Sequence, residues 1–294
     1  PLSEVLRLDS YRRRWRLLAL VAVFFFLLTA FAYNQKEDTA YTSPHIAHIQ
    51  IKGVIDDSLH QQNILEDIRK NHAAKAVLVY IDSPGGTMVG GINLHQALRR
   101  LAAEKPVVTV MGNIAASAGY MVSTAGDYVI ANPGSLTGSI GVMMPLVDAT
   151  RLADKIGIQS DEVVSGSLKM VTSPLYKRND ADQAYLKDTV MEMQTVFLDM
   201  VKERRSLSPE NIETISDGRI LTGVSAHRLK LVDALGDRNS ARAWLEQNKN
   251  ISPNIPLIDI SMDKPKSFME TLMFGLKGNL FPNQIWQGIL AIAH

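Results

Sequence analysis

Ala76-Val77-Leu78-Val79-Tyr80-Ile81, followed by Asp82-Ser83-Pro84-Gly85-Gly86, is the stretch on which the fold turns. Six consecutive apolar residues suit a strand buried on both faces, the kind found in parallel sheets. The acidic, proline and glycine residues that close the run predict a turn. Downstream, a helical pattern runs from Val89 to Ala103, a strand from Val107 to Met111 follows Pro106, and a small-residue segment, Asn113 to Gly119, opens another helix. Upstream, His45 to Val54 (HIAHIQIKGV) alternates apolar and polar residues as a half-buried strand does. Ser58 to Asn71 places Leu59, Ile64, Leu65 and Ile68 at near-helical spacing. Strand, turn, helix and strand in repetition predict a layered α/β fold with connected parallel strands.

Further along, Tyr128 to Ala131 reads as a short strand, and Gly134 to Val142 (GSLTGSIGV) as a glycine-rich connection whose backbone approaches something closely. Asp180 to Arg204 carries the longest helical pattern, with Leu186, Val190, Met193, Val196, Phe197, Met200 and Val201 on one stripe. Ser208-Pro209-Glu210 has the form of a helix start, and helices are expected over Ser225 to Leu231 and Ser240 to Asn248.

At the N-terminus, Leu17 to Tyr33 (LLALVAVFFFLLTAFAY) is uncharged, preceded by Arg7, Arg12, Arg13, Arg14 and Arg16 and followed by Glu37 and Asp38. A membrane-spanning helix needs roughly 17 to 25 apolar residues, so this run lies at the short end of that range. Arginines on its N-terminal side predict a cytoplasmic N-terminus, with the rest of the chain across the membrane. A cleaved signal, suggested by Ala30-Phe31-Ala32, and a buried helix are the alternatives. The chain opens on Pro1, which fits removal of an initiator methionine with the apolar segment retained. The expected organisation is a basic segment at 1–16, an anchor at 17–33, a linker at 34–44, a catalytic-type α/β domain at 45–250 and an extension at 251–294.

The 46% hydrophobic content is ample for a packed core. The 31 basic and 30 acidic residues nearly cancel, so no global positive field gathers nucleic acid, and none is expected as a partner. With no cysteine, disulfides and thiolate metal sites are impossible.

Asp82 to Gly86 places two glycines after a buried strand, where successive N–H groups can converge on an oxyanion; an ordinary turn is the blander reading. The surrounding glycines match neither phosphate-loop nor dinucleotide spacing. Ala115-Ala116-Ser117-Ala118-Gly119 also follows a strand and opens a helix, so Ser117 is either a nucleophile with small neighbours or a helix cap. A nucleophilic serine needs a base, yet the histidines stand at 45, 48, 60, 72, 95, 227 and 294, none between Ser117 and His227. His45 and His48 fall on opposite faces of a strand and make a poor metal pair. Lys169, in Ser165-Gly166-Ser167-Leu168-Lys169, is the remaining candidate base. A lysine serves only when neutral, so its reference pKa of about 10.4 must fall through burial or a hydrogen bond, for which Ser139 is a candidate. Alone, Lys169 would pass for a surface lysine.

Taken together, Asp82–Gly86, Ala115–Tyr120, Leu136-Thr137-Gly138-Ser139-Ile140-Gly141-Val142, Ser165–Lys169, Asp217-Gly218-Arg219 and Ala226–Gly236 stand in the order and spacing of the signal peptide peptidase A family. The chain resembles its short form over roughly residues 45 to 245, departing slightly at Ala118, where glycine is expected, and at Leu168-Lys169-Met170. The resemblance implies a Clp/crotonase-like layered fold and a serine peptidase with a Ser-Lys dyad, using no metal or other cofactor. It makes Ser117 the nucleophile, Lys169 the base, Ser139 the hydroxyl that orients the lysine, and Gly86 with the Ala118 amide the oxyanion donors, Gly85 being the alternative to Gly86. Met88, Val89, Tyr120 and Met121 would line a substrate pocket. It further implies a bacterial cell-membrane protein with its catalytic domain extracytoplasmic, acting on hydrophobic peptides such as cleaved signal peptides. A homo-oligomer is expected, with serine and lysine potentially drawn from neighbouring subunits. A crotonase-type acyl-CoA enzyme and a non-catalytic membrane scaffold are the rival readings.

Overall fold

The computed structural model describes residues 15, 16, 18–22, 24 and 42–263. Eight strands form one sheet: β1 (His45–Ile55), β2 (Ala74–Gly86), β3 (Val107–Ala116), β4 (Tyr128–Ala131), β5 (Leu136–Gly138), β6 (Ile220–Thr222), β7 (Ala234–Leu235) and β8 (Leu257–Ile260). The main path runs β6-β5-β3-β2-β1-β8, while β4 pairs with β3 and β7. Every pairing is parallel except that of β5 with β6. The layered α/β architecture expected from the sequence is therefore present.

Strand β3 is forked. Its residues Val108–Met111 pair with β4 and Ile114–Ala116 pair with β5. The fork falls at Gly112, where a Cβ would approach the Tyr80 hydroxyl to 2.5 Å, so a side chain there would collide with Tyr80 of β2.

The apolar run at 76–81 is buried on both faces, as expected. Ala76 and Leu78 pack with Ile46, Val108, Val110 and Ile130 against Ala241 and Leu245 of α8 (Arg238–Lys249). Val77, Val79 and Ile81 face the other way by strand alternation. The buried residues of α1 (Leu59–Lys70) and α2 (Met88–Ala102) include Leu65, Ile68, Leu94, Leu98 and Leu101. Each fully buried aliphatic side chain contributes roughly 1.5–3 kcal/mol, which makes this doubly covered sheet the stable frame for what its strand ends carry.

Several boundaries differ from expectation. Asp82–Gly86 is not a turn but the bulged end of β2, with a register shift against β3 between Ile81 and Ser83. The glycine-rich connection contains β5. The helix expected from Ser225 starts earlier, as α7 (Gly223–Arg228), because Thr222 and not Ser225 supplies the capping oxygen. Strand β1 is more buried than its alternation suggests, and takes His45 and His48 inside; the His48 ring hydrogen-bonds Asp259 of β8. Strand β8 thus brings part of the 251–294 segment into the sheet. The remaining helices are α3 (Ala118–Ser123), α4 (Thr150–Lys155), α5 (Asp180–Arg204) and α6 (Pro209–Ile215).

Between β5 and α5 lies an arm, residues 141–179, in which Val171 is the one buried side chain. Its ends are tied by the Ala149 amide donating to Pro174 O (2.8 Å) and by Arg178 donating to Val147 O (3.0 Å). Met143, Val147, Leu152, Ile156 and Val163 are exposed along it.

The chain divides into two compact units, Pro1–Ile260 and Ser261–His294, and residues 264–294 lie outside the described residues. The expected anchor, 17–33, is described only at 18–22 and 24, which are helical; Leu18, Leu20, Val21 and Phe24 are exposed. Among the described residues no helix is long and apolar enough to cross a membrane.

Candidate active site

Ser117 joins β3 to α3 with φ 52° and ψ −121°. This backbone region disfavours every residue but glycine and costs on the order of 1–3 kcal/mol. Although Ser117 stands at the N-cap of α3, its hydroxyl makes no capping bond, which removes the helix-cap reading. Its amide donates to Gly138 O (2.9 Å), the last residue of β5. Ser139, the next residue, repeats the geometry: φ 50°, with its amide donating to Arg219 O (2.8 Å). Since Ala116 lies opposite Gly138 in parallel register, the two serines leave adjacent strand ends side by side.

The end of β2 completes the floor. At Gly85 (φ 132°) a Cβ would stand 3.0 Å from Ser117 Cβ and 3.4 Å from its Oγ, so only glycine leaves the hydroxyl clear. The Gly85 amide donates to Ser83 Oγ (3.2 Å). The Thr87 amide donates to Ile55 O (2.9 Å) on β1. In extended chain the preceding amide, that of Gly86, points to the opposite edge, away from β1. Between the two glycines, Gly86 therefore has the freer donor. The Ala118 N–H, first in α3, has no acceptor within the helix. Asp82 holds this loop in place, accepting from the Ile114 amide (3.1 Å) and Asn113 Nδ2 (3.3 Å) on β3.

Ser117 and Ser139 open into a cavity of about 660 Å³, whose lining also includes Gly86, Ala118, Met88 and Met121. Its other polar side chains are already engaged. Thr87 Oγ1 accepts from the Gly90 amide (3.1 Å), Gln194 Nε2 donates to Ser216 O (2.6 Å) and Ser216 Oγ donates to Ile212 O (2.6 Å). Asp217 pairs with Arg219 (2.6 Å), whose guanidinium holds the carboxyl below its ordinary range. Neither the Ser117 nor the Ser139 side chain has a hydrogen-bond partner among the described residues.

Three expected site residues lie elsewhere. Lys169 is exposed in the arm, in a turn where its amide donates to Gly166 O (3.0 Å), and it does not line the cavity. Val89 is exposed on α2, outside the lining. Tyr120 is a core residue rather than a pocket wall: it is wholly buried, its hydroxyl donates to Leu231 O (3.0 Å), and burial pushes the phenol pKa up. Conversely, Met193, Gln194 and Phe197 of α5 and Met143 of the arm line the cavity, and sequence reasoning assigned them no such role. Met193 and Phe197 belong to the apolar stripe of α5, but a stripe does not distinguish a cavity wall from core. Among the described residues no group of three or more histidine, cysteine or carboxylate side chains is arranged to hold a metal.

The pattern of Peptidase family S49 matches residues 99–252, just over half the chain, including Ser117, Ser139 and Lys169. A provisionally named protease of Methanocaldococcus jannaschii, MJ0651, is 34% identical over 220 residues, covering 75% of this chain and 69% of that protein. A provisionally named signal peptide peptidase SppA of Enterococcus faecium is 27% identical over 262 residues, covering 84% and 73%. Protease 4 of Salmonella typhi is 34% identical over 195 residues, covering 61% of this chain and 29% of that protein. With a strained, unbonded serine hydroxyl in a cavity at the ends of its central strands, this chain belongs to peptidase family S49 and is a serine-type peptidase similar to signal peptide peptidase A.

Proposed function

We propose that Ser117 is the nucleophile and that Lys169 of a second copy of the chain is its base. The observation that carries this is the asymmetry of the single chain: nucleophile, neighbouring hydroxyl and backbone donors share one cavity, while the lysine stands on an arm whose apolar side chains are exposed among the described residues. Docking that arm on a neighbour would bury both its apolar face and the ammonium, and desolvation favours the neutral amine a base requires. Neutral Lys169 then takes the Ser117 proton as Oγ attacks the scissile carbonyl, with Ser139 orienting the amine. The Gly86 and Ala118 amides receive the oxyanion. The proton passes to the leaving amine, and lysine next activates water to release the acyl group.

The substrates we propose are apolar peptides, signal peptides released after secretion among them. This is supported by the cavity lining and by the names of the similar proteins. Residues 17–33 would anchor the enzyme in the cell membrane, with the catalytic part extracytoplasmic, which the arginine distribution supports.

The test is complementation in detergent with an apolar peptide substrate. Ser117→Ala and Lys169→Ala, each alone, are expected to lose about 10³-fold or more in kcat/KM. Co-expressed, they should recover a measurable fraction, since some interfaces pair an intact serine with an intact lysine. Undiminished turnover in either single variant sinks the dyad, and absence of recovery in the mixture places it within one chain.

A further inference from the structure

The walls of the cavity bear on which peptides are cut, and this inference rests on the peptidase reading above. Four of the lining residues are methionines, delivered by four separate pieces of chain: Met88 opens α2, Met121 sits in α3, Met143 lies in the arm and Met193 on α5. Their burial divides them. Met121 and the adjacent Phe197 of α5 are almost fully inaccessible, and a Cβ at Gly91 would approach Met121 Sδ to 3.0 Å, so the floor is packed and rigid. Met88 is half-buried, Met193 is more exposed and Met143 is 87% exposed, so within one chain the rim is held less tightly than the floor. Apart from Ser117 and Ser139, the polar side chains of the lining are committed to protein partners, leaving no free side-chain charge among the described lining residues to select a particular substrate group.

Methionine is unbranched, with three rotatable bonds and a polarisable thioether, and fills irregular apolar space at little strain. A rim of three such side chains on independent elements can close around leucine, phenylalanine or valine alike. A rim of β-branched residues, stiff at χ1, could not. We infer that Met88, Met143 and Met193 determine specificity, giving this peptidase a compliant apolar pocket that accepts side chains of different shape at similar rates. Such breadth suits substrates that share hydrophobicity but no sequence.

The experiment uses the full chain in detergent and a set of otherwise identical peptides with Val, Leu, Met, Phe or Asp before the scissile bond. A rigid apolar pocket discriminates a single methylene by roughly 10- to 200-fold. The expected wild-type spread in kcat/KM among the four apolar peptides is therefore below about 10-fold, with Asp rejected. Met143→Val with Met193→Val is expected to widen that spread about 10-fold or more, and Met143→Leu with Met193→Leu, flexible at χ1, to restore much of the breadth. Both sites are exposed, so the variants fold, and circular dichroism checks that they do. A wild-type spread of about 100-fold, or an unchanged profile in the valine variant, overturns the inference while leaving the peptidase reading intact. Failure to cut any member of the set in a Ser117-dependent way overturns both.

Discussion

Ser117 holds a backbone conformation that its own side chain resists, and nothing its hydroxyl does within the chain compensates. Replacing it by glycine relieves the strain, of order 1–3 kcal/mol, at an entropic penalty of roughly 0.5–1 kcal/mol. Ser117→Gly is therefore expected to raise the urea midpoint while abolishing hydrolysis, whereas Ser117→Ala abolishes hydrolysis with the midpoint near wild type. Equal midpoints in the two variants would remove the strain argument. The sequence around Ser117 left cap and nucleophile both open, because helix caps and nucleophile turns draw on the same small residues. Deciding between them takes the dihedral angle and the direction of the hydroxyl. Gly86 and Gly85 were likewise indistinguishable by type, and separate only through the partners of the Gly85 and Thr87 amides.

At the scale of elements, α2 supports α3 through His95, whose Nδ1 lies 2.8 Å from Met121 O and donates to it in the neutral tautomer. Burial is the main reason the His95 pKa falls below its ordinary value of 6.5, and Arg204 and Arg99 add to the effect. The unfolded chain takes up this proton near pH 6.5 and the folded chain resists it. The stability tied to the neutral ring is thus complete above that pH and is lost as pH falls toward the depressed folded value. His95→Gln, which keeps a donor without titrating, is expected to flatten the decline in urea midpoint between about pH 7.5 and 5.5. An identical decline in both proteins would exclude the histidine as its source. Elements with strong periodicity were legible: β4 and α5 fall where the sequence puts them, and α1 and α2 within a residue or so. Strands β5 to β8 are two to four residues long and draw their register from neighbours, so no local pattern announces them. The extension of β2 and β3 through glycine and alanine runs was hidden for a related reason, since small residues that read as a turn also permit bulged strands to lie close.

At the scale of the molecule there is a packed sheet and an arm whose apolar side chains find no cover among the described residues. Sequence patterning could not reveal this, because an apolar residue bound for the core and one bound for another subunit look alike. Changing Leu152, Ile156 and Val163 together to aspartate is expected to leave the circular dichroism of the protomer intact, dissociate any assembly in sedimentation velocity and abolish hydrolysis. An active monomer would overturn the shared-site reading.

The fork in β3 ties the nucleophile to the weaker of two partners. Residues 108–111 lie in the packed sheet, but Ser117 takes its position from the amide bond to Gly138, at the end of a three-residue strand. Although Thr137 and Gly138 are buried, so short a strand is expected to open at lower free energy than the central sheet. On heating, β5 is expected to fray while the core persists, and peptide hydrolysis to fade reversibly before the calorimetric transition. The temperature at which this enzyme stops working would then be set by three residues beside its serine, and its melting point by the rest.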